Sequence, residues 1–361
     1  MKKKLNKTFI SNCITYALVI AAFIIMTVLM NAGMLTRSMK GQLIPICVYI
    51  VMAVSLNLTV GISGELSLGH AGFMSVGAFT GAVAAAVFAN GVGDPTLRLV
   101  LSMLVGGVMA AIAGVIIGVP VLRLRGDYLA IVTLAFGEII RNVLNCLYVG
   151  LDGGRMVFGF NTPLSQSLES MLAGNPFQII INGPQGASIN GKLSTFTMGF
   201  VLVMVSLVVV LNLVNSRSGR AIMAIRDNRI AAESVGLSVT KYKMMAFVIS
   251  AALAGMAGAL YSMNYSTVPA SKFKFDTSIL VLVFVVLGGI GNIRGSIIAA
   301  ALLTVLPELL RAFNDYRMLV YAIVLILVML VSNNPRIKQF MGDLRDKILR
   351  RKPDEEGGAK A

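Results

Sequence analysis

The chain has 361 residues, of which 57% are hydrophobic and 13% are charged, and its formal net charge is +15. Soluble domains usually contain about 25% charged residues, so this composition excludes an ordinary soluble protein. The positive charge does not indicate a nucleic-acid partner, because the basic residues gather in short segments between apolar runs and not along one face. We therefore expect a multi-pass membrane protein whose surroundings are lipid.

Ten apolar stretches predict membrane helices, because only a helix satisfies its own backbone hydrogen bonds in lipid. They lie near 13–33, 43–61, 70–90, 97–120, 128–149, 195–215, 244–263, 278–291, 295–313 and 318–333. The expected fold is an all-α bundle of about ten helices over 1–333, followed by a basic tail over 334–361. The eighth and ninth stretches are joined by a Gly-rich link, which predicts a broken or partly re-entrant pair.

The basic residues predict the orientation of this bundle. The first stretch is too long for a signal-peptide core and should be a retained helix. If the N-terminus lies inside, inner segments hold 21 Lys and Arg residues and outer segments hold nine. This bias places both termini in the cytoplasm. Segment 150–194, rich in Gly, Asn, Pro and Ser, then becomes an outer loop, either a cap or a docking site for an external partner.

The sequence offers no set of residues suited to enzymatic chemistry. It contains a single histidine, His70, and its three cysteines lack the spacing of metal ligands. Residues 186–192 have the GxxxxGK spacing of a phosphate loop, but Leu193 stands where Ser or Thr would bind magnesium. We therefore expect a transport subunit without cofactor or metal, and any ATP would be bound by partner subunits.

The segment Gly219–Lys243, called the coupling segment below, is basic and amphipathic. It predicts a cytoplasmic helical hairpin that transmits force from a peripheral motor; the alternative is a basic loop that only fixes topology. Four apolar residues are expected to pack while the charged residues face water: Ile222, Ile225, Ile230 and Val235. Residues 231–236 have the Ala-Ala-x-x-x-Gly spacing of the coupling loop in bacterial ABC permeases. The candidate coupling residues are Arg220, Arg226, Ala231, Ala232, Glu233 and Gly236.

Four further stretches carry a family resemblance. They are SLNLTVGISGELSLGHAGFMSVGAFTGA (Ser55–Ala82), RLRGDYLAIVTLAFGEIIRNVLN (Arg123–Asn145), AFVISAALAGMAGALYS (Ala246–Ser262) and SILVLVFVVLGGIGNIRGSIIAAALL (Ser278–Leu303). In order and spacing they resemble the LivM family of branched-chain amino acid permeases, and the resemblance extends from about Ser55 to Leu330.

The resemblance implies the larger, type II-like architecture of ABC-importer permeases. It implies a LivH-type permease partner, two cytoplasmic ATPases docked near the coupling segment, and an extracytoplasmic binding protein that delivers leucine, isoleucine or valine. The implied location is the bacterial cytoplasmic (inner) membrane. Two alternatives stay open: an ABC permease for urea or short amides, and an ion-coupled secondary transporter that acts alone and requires intramembrane acids such as Glu138.

A Gly-rich polar segment after the second stretch is the candidate translocation path. Glycine permits a backbone that breaks a helix, and broken helices are tolerated in membranes where they line a cavity or are buried in protein. His70 has the alternative interpretation of a packed residue. Glu138 and Arg141 share a helical face and form either an intrahelical pair or part of the path lining. The candidate path residues are Gly61, Gly64, Ser67, Gly69, His70 and Glu138.

Overall fold

The computed structural model describes residues 2–34, 36–89, 91–124, 126–152, 155–164, 177–189, 191–310 and 316–333. The described residues up to Val305 form one compact unit, and the described residues from Leu306 onward belong to a second. Within the described ranges the chain forms twelve α-helices. They are α1 (Lys2–Asn31), α2 (Arg37–Asn57), α3 (His70–Phe88), α4 (Pro95–Val121), α5 (Asp127–Asn145), α6 (Phe196–Asn215), α7 (Arg217–Asp227), α8 (Arg229–Ser234), α9 (Val239–Ser262), α10 (Phe275–Gly288), α11 (Ile293–Leu309) and α12 (Arg317–Asn333).

Ten of these helices occupy the ten predicted stretches, and α7 and α8 form the predicted hairpin. In the part of the chain that the structure describes, six helices are long and apolar enough to cross a membrane: α1, α2, α3, α4, α6 and α9. Helix α10 is apolar but shorter. Helix α5 ends at Asn145, before the end of its predicted stretch, because the following residues join a β-strand. The predicted tail lies outside the described residues.

Within the first unit, helices α3, α4 and α9 pack against one another through small residues. A Cβ atom on Gly77 of α3 would overlap the backbone of Gly255 in α9. A Cβ atom on Gly114 of α4 would lie 2.8 Å from the Cβ of Ala251. Ala251 and Ala259 are fully buried on the same face of α9 as Gly255. Small side chains let these helices approach to backbone contact, as is common between membrane helices.

A five-stranded antiparallel sheet follows α5, where the sequence predicts a loop. Its strands are β1 (Leu147–Asp152), β2 (Arg155–Phe160), β3 (Phe177–Asn182), β4 (Ala187–Ser188) and β5 (Thr267–Val268), in the spatial order β2-β1-β3-β4-β5. Leu147 of β1 is opposite Phe160 of β2, and Ala187 of β4 is opposite Val268 of β5. Segment 150–194 is therefore not simply a loop. The β4–β5 pair gave no signal because β4 is very short and β5 lies beyond α9 in sequence. The β1–β2 hairpin was missed although Gly153-Gly154 between two apolar runs is a hairpin signal.

The first unit has two distinct ends along α9. At its N-terminal end, α9 follows the coupling segment, which forms α7 and α8. At its C-terminal end, α9 leads into β5 and the sheet. These are called the coupling end and the sheet end. Helix α2 finishes at the coupling end, because Gly61, just beyond α2, contacts Arg226 of α7.

Candidate translocation and coupling site

The predicted break after the second stretch is present. Helix α2 continues into a π-helical turn over Leu58–Ile62, and residues 63–69, called the α2–α3 connection, contain no helix. Gly64 has a φ of +75°, a backbone conformation that residues other than glycine rarely adopt. A Cβ atom there would also lie 2.6 Å from Cγ of Arg226. Glycine is therefore required at Gly64 both by the backbone and by its neighbour.

Helix α3 begins inside the bundle and not at its end. Ser250, near the middle of α9, donates its hydroxyl to the Ser55 carbonyl at 2.5 Å. The Ser55 hydroxyl in turn lies 2.8 Å from Nε2 of His70, the first residue of α3. The next amide, Ala71 N–H, donates to Oγ of Ser278 in α10 at 3.0 Å. The break therefore places polar backbone groups in the interior of the first unit.

His70 is 2% exposed and fits the packed alternative. The Ser55 hydroxyl donates to the Met52 carbonyl at 2.9 Å. Since a serine hydroxyl has one proton, this geometry fits a His70 tautomer that carries its proton on Nε2 and donates to Ser55. The ring of Phe73 also contacts the imidazole edge-on, with centroids 6.3 Å apart.

Three hydroxyls of the π-helical turn and the α2–α3 connection are buried without a hydrogen-bond partner among the described residues. They belong to Thr59, Ser63 and Ser67, whose side chains are at most 2% exposed. Leaving such a group unpaired costs about 1–3 kcal/mol, so each hydroxyl would gain a hydrogen bond if the packing around it opened to a water molecule or a polar solute. The sequence predicts Ser67 as a site residue, but it misses Thr59 and Ser63.

Asn57 connects the break to the loop between α10 and α11. Its side chain is fully buried, donates to Oγ of Ser296 at 2.9 Å and accepts from the Gly291 N–H at 2.8 Å. Gly61 must be small here, because a Cβ atom would overlap the Asn57 side chain and the Gly291 backbone. Sequence reasoning missed Asn57, although an amide within an apolar stretch was a usable signal.

Helix α5 packs against the end of the α2–α3 connection. A Cβ atom on Gly69 would overlap the carbonyl of Thr133 in α5. Further along α5, Oε2 of Glu138 accepts from Nε of Arg141 at 2.7 Å, so the predicted intrahelical pair is present. Oε1 of Glu138 accepts from the Phe275 N–H, the first amide of α10, at 3.3 Å. A carboxylate at a helix N-terminus is stabilising, so Glu138 holds α10 against α5.

The coupling segment folds as the predicted hairpin, with one error. Asn228 begins α8 by accepting from the Ala231 N–H at 3.1 Å. Ile222 and Ile225 are buried as expected. Ile230 and Val235, which were expected to pack, are 80% and 74% exposed. The prediction is wrong because the chain breaks at Asn228 and restarts in α8, so the helical periodicity of α7 does not continue.

The candidate coupling residues divide into two groups. Most form the outer surface of the hairpin, where Glu233 pairs with Arg229 at 2.9 Å; Ala232 is instead buried. Arg226 makes contacts in two directions: its Nη1 donates inward to the Gly61 carbonyl at 2.6 Å, while its Nε and Nη2 donate to the exposed carboxylate of Asp227. A second inward contact joins Lys243 of α9 to Glu65 of the α2–α3 connection. Sequence reasoning singled out neither partner of this ion pair. The exposed candidates are Arg220, Arg226, Ala231, Glu233 and Gly236.

The family model described as "branched-chain amino acid transport system / permease component" matches residues 38–329. The chain belongs to this family of permeases. It is 39% identical over 294 residues to the high-affinity branched-chain amino acid permease protein LivM of Escherichia coli, covering 78% of this chain and 66% of that protein. The LivM protein of Salmonella typhimurium is 38% identical over 287 residues, with the same two coverages.

The chain therefore matches slightly less than two thirds of the length of these LivM relatives. The LivH permease protein of Salmonella typhimurium is 33% identical over 152 residues, covering 40% of this chain and 49% of that protein. No solved structure matches the chain. The family and the helical fold class predicted from the sequence are confirmed, and the chain is a multi-pass membrane permease component.

Proposed function

We propose that this chain is one permease subunit of an ABC importer and forms, with a LivH-type partner, the translocation path for branched-chain amino acids. The observation that carries the proposal is the 39% identity to LivM over 294 residues. The likeness to LivH supports a related second permease, because LivM and LivH are both named for a high-affinity branched-chain amino acid system. The proposed substrates are leucine, isoleucine and valine.

The proposed path runs beside the α2–α3 connection. The buried unpaired hydroxyls of this region support the proposal, because they offer hydrogen bonds to a polar solute. The internal start of α3 supports it too, since a helix N-terminus favours negative charge and an amino acid carries a carboxylate. Glu138 borders the path, while its charge serves Arg141 and α10. The proposed path residues are Gly61, Gly64, Ser67, Gly69, His70 and Glu138.

The proposed motor is a pair of cytoplasmic ATPases that dock on the coupling segment. Exposed large apolar side chains often mark a protein contact surface, and Ile230 and Val235 are such residues on the hairpin. ATP drives the transport cycle only if the ATP-bound motor binds one conformation of the permease pair more tightly than the other. In this proposal ATP is the partners' ligand, and the chain itself carries out no covalent step.

The proposed location is the bacterial inner membrane, with both termini and the coupling segment in the cytoplasm. The bias of 21 inner against nine outer basic residues supports this orientation. The sheet then lies on the outer side, where an extracytoplasmic binding protein would deliver the ligand.

Uptake of labelled leucine tests the proposal. The assay uses cells that lack other leucine importers and express the partner subunits with or without this chain. We expect uptake only when the chain is present, and we expect unlabelled isoleucine and valine to compete.

Unchanged leucine uptake on deletion would contradict the assignment of substrate. Labelled urea and short amides are then the next solutes to measure. Uptake that persists without the ATPases but collapses with the ion gradient would instead identify an ion-coupled transporter.

A further inference from the structure

Two cations of the coupling segment contact the same short stretch of the helix break. Nη1 of Arg226, in α7, donates to the Gly61 carbonyl at 2.6 Å. The same side chain is 38% exposed and also pairs with Asp227 at 3.1 Å, so of its nitrogen atoms only Nη1 reaches the helix break. Nζ of Lys243, in α9, pairs with Oε1 of Glu65 in the α2–α3 connection. The two cations lie on different helices of the coupling end, and their two partners flank Gly64 in sequence.

The contact of Arg226 is suited to a helix end. The last carbonyls of a helix lack partners within it and carry partial negative charge, and Gly61 lies in the π-turn that ends α2. A hydrogen bond from a guanidinium to such a carbonyl is charge-assisted and therefore stronger than a neutral one. The stem of Arg226 also lies directly beside Gly64, where a Cβ atom would approach its Cγ to 2.6 Å.

The contact of Lys243 is sheltered from water. The side chains of Lys243 and Glu65 are 14% and 11% exposed. In contrast, the Arg229–Glu233 pair on the outer surface of the hairpin is 35% and 49% exposed. Exposed pairs contribute little, whereas removing one partner of a sheltered pair leaves an uncompensated charge. The inward pair is therefore the more consequential of the two.

We propose that Arg226 and Lys243 are positioning residues that attach the α2–α3 connection to the coupling segment. When the hairpin moves, the connection moves with it, so the break changes conformation in step with the motor. This inference rests on the proposed function and assigns to Arg226 an inward role, distinct from contact with an ATPase. Lys243 and Glu65 join the residues on which transport depends.

The ratio of ATP hydrolysed to leucine transported tests this inference in proteoliposomes containing the whole complex. For Arg226→Ala and Lys243→Ala we expect leucine uptake to fall about tenfold while ATP hydrolysis stays within about twofold of the parent complex. The matched controls are Arg217→Ala and Lys241→Ala, which remove exposed cations of α7 and α9. The controls are expected to keep the parent ratio.

Two further variants separate positioning from a purely structural role. The double variant Glu65→Lys with Lys243→Glu restores an ion pair with reversed charges and should recover uptake to within about threefold of the parent complex. Arg226→Lys retains one charged donor for the Gly61 carbonyl and should keep most of the coupling. If Arg226→Ala prevents assembly of the complex, Arg226→Lys is the variant in which coupling is measured.

An unchanged ratio in Arg226→Ala and Lys243→Ala would overturn the inference while leaving the proposed function intact. A charge-reversed pair that assembles but remains uncoupled would also overturn it. So would an assembled Arg226→Lys variant that is as uncoupled as Arg226→Ala. A parent complex that transports no leucine would instead contradict the proposed function, so the two failures are distinguishable.

Discussion

Single residues of the α2–α3 connection have narrowly defined surroundings. Gly64 combines a left-handed backbone with the adjacent stem of Arg226, and Gly61 and Gly69 each face a backbone atom or a buried amide. Each requirement is local, but the neighbours come from α5, α7 and the loop between α10 and α11. The glycines beyond the end of α2 are therefore needed both for their backbone conformation and because their neighbours leave no room for a side chain.

We predict that Gly64→Leu lowers leucine uptake at least about tenfold without removing the protein from the membrane. A leucine at a φ of +75° stores about 1–3 kcal/mol of backbone strain, and its Cβ would displace Arg226. Uptake and the amount of protein in the membrane should be measured together.

The control for this change is Gly91→Leu, because a Cβ atom on Gly91 meets nothing within 4 Å. Normal uptake by a correctly assembled Gly64→Leu variant would remove the α2–α3 connection from the proposed path.

Some features of these residues could be predicted from the sequence and others could not. The glycines of the break were predicted because glycine itself signals backbone freedom. The Arg226–Gly61 contact was not, because its partners are 165 residues apart and the acceptor is a main-chain carbonyl. Thr59 and Ser63 were missed since hydroxyls are common in membrane helices, and only their burial without a partner distinguishes them.

At the scale of helices and strands, apolar length was the reliable signal. It predicted the positions of ten of the helices in the described ranges, because each helix must satisfy its backbone hydrogen bonds within itself. The β4–β5 pairing could not be predicted because a strand is satisfied by a partner elsewhere, and β5 is separated from β4 by α6 to α9. The β1–β2 hairpin is local, and the Gly153-Gly154 sequence between its strands was a usable signal. The faces of α8 escaped because its orientation is set by the break at Asn228.

The exposed face of the coupling segment leads to a second prediction. Ile230→Asp and Val235→Asp should weaken binding of the ATPase subunits about tenfold, because each places a charge where an apolar contact is proposed. The thermal unfolding midpoint of the isolated permease should change little, since both side chains are already exposed. Co-purification of the ATPases and calorimetry provide the two measurements.

The comparison variant for the hairpin is Thr96→Asp, which adds the same charge at an exposed position at the start of α4. Equal retention of the ATPases by all three variants would argue that the motor docks elsewhere.

The contact between α5 and α10 gives a third prediction. Glu138→Gln should keep leucine uptake within about twofold, since glutamine still accepts from the Phe275 N–H, while stability falls by about 1 kcal/mol because Arg141 loses its charge partner. Uptake and thermal unfolding of the same preparation test this.

Glu138→Gln also discriminates between transport classes. An ion-coupled transporter that uses this carboxyl group would lose transport when the acid is replaced, even in a correctly assembled protein. Loss of uptake with an unchanged unfolding midpoint would show that the Glu138 carboxyl group takes part in transport, and collapse of the ion gradient in the parent complex would then separate the ion-coupled alternative from the ABC importer.

For the molecule as a whole, the sheet and the coupling segment lie at opposite ends of the first unit. Charge bias predicts which end is cytoplasmic, because basic segments are retained inside. Neither the family membership nor the helix lengths determine this orientation, so it is a separate and testable property.

We predict that Thr162→Cys is labelled by a membrane-impermeant maleimide in right-side-out vesicles and that Ser234→Cys is not. Thr162 follows β2 at the sheet end, Ser234 ends α8, and both are exposed. The background should lack Cys13, Cys47 and Cys146. Disrupted vesicles provide the control in which both positions react; the reverse pattern in intact vesicles would invert the proposed topology.

Helix α9 connects the coupling end of the first unit to its sheet end. It runs without interruption from the coupling segment to the residues before β5, and its 24 residues span about 36 Å. A rigid rod of that length tilted by about 5° moves its far end by about 3 Å. That distance is comparable with a hydrogen bond, and in the described residues β5 pairs with β4 at two positions, Ala187 with Val268 and Ser188 with Thr267. A tilt of this size at the coupling end would therefore be large enough to strain the β4–β5 pairing at the opposite end of α9.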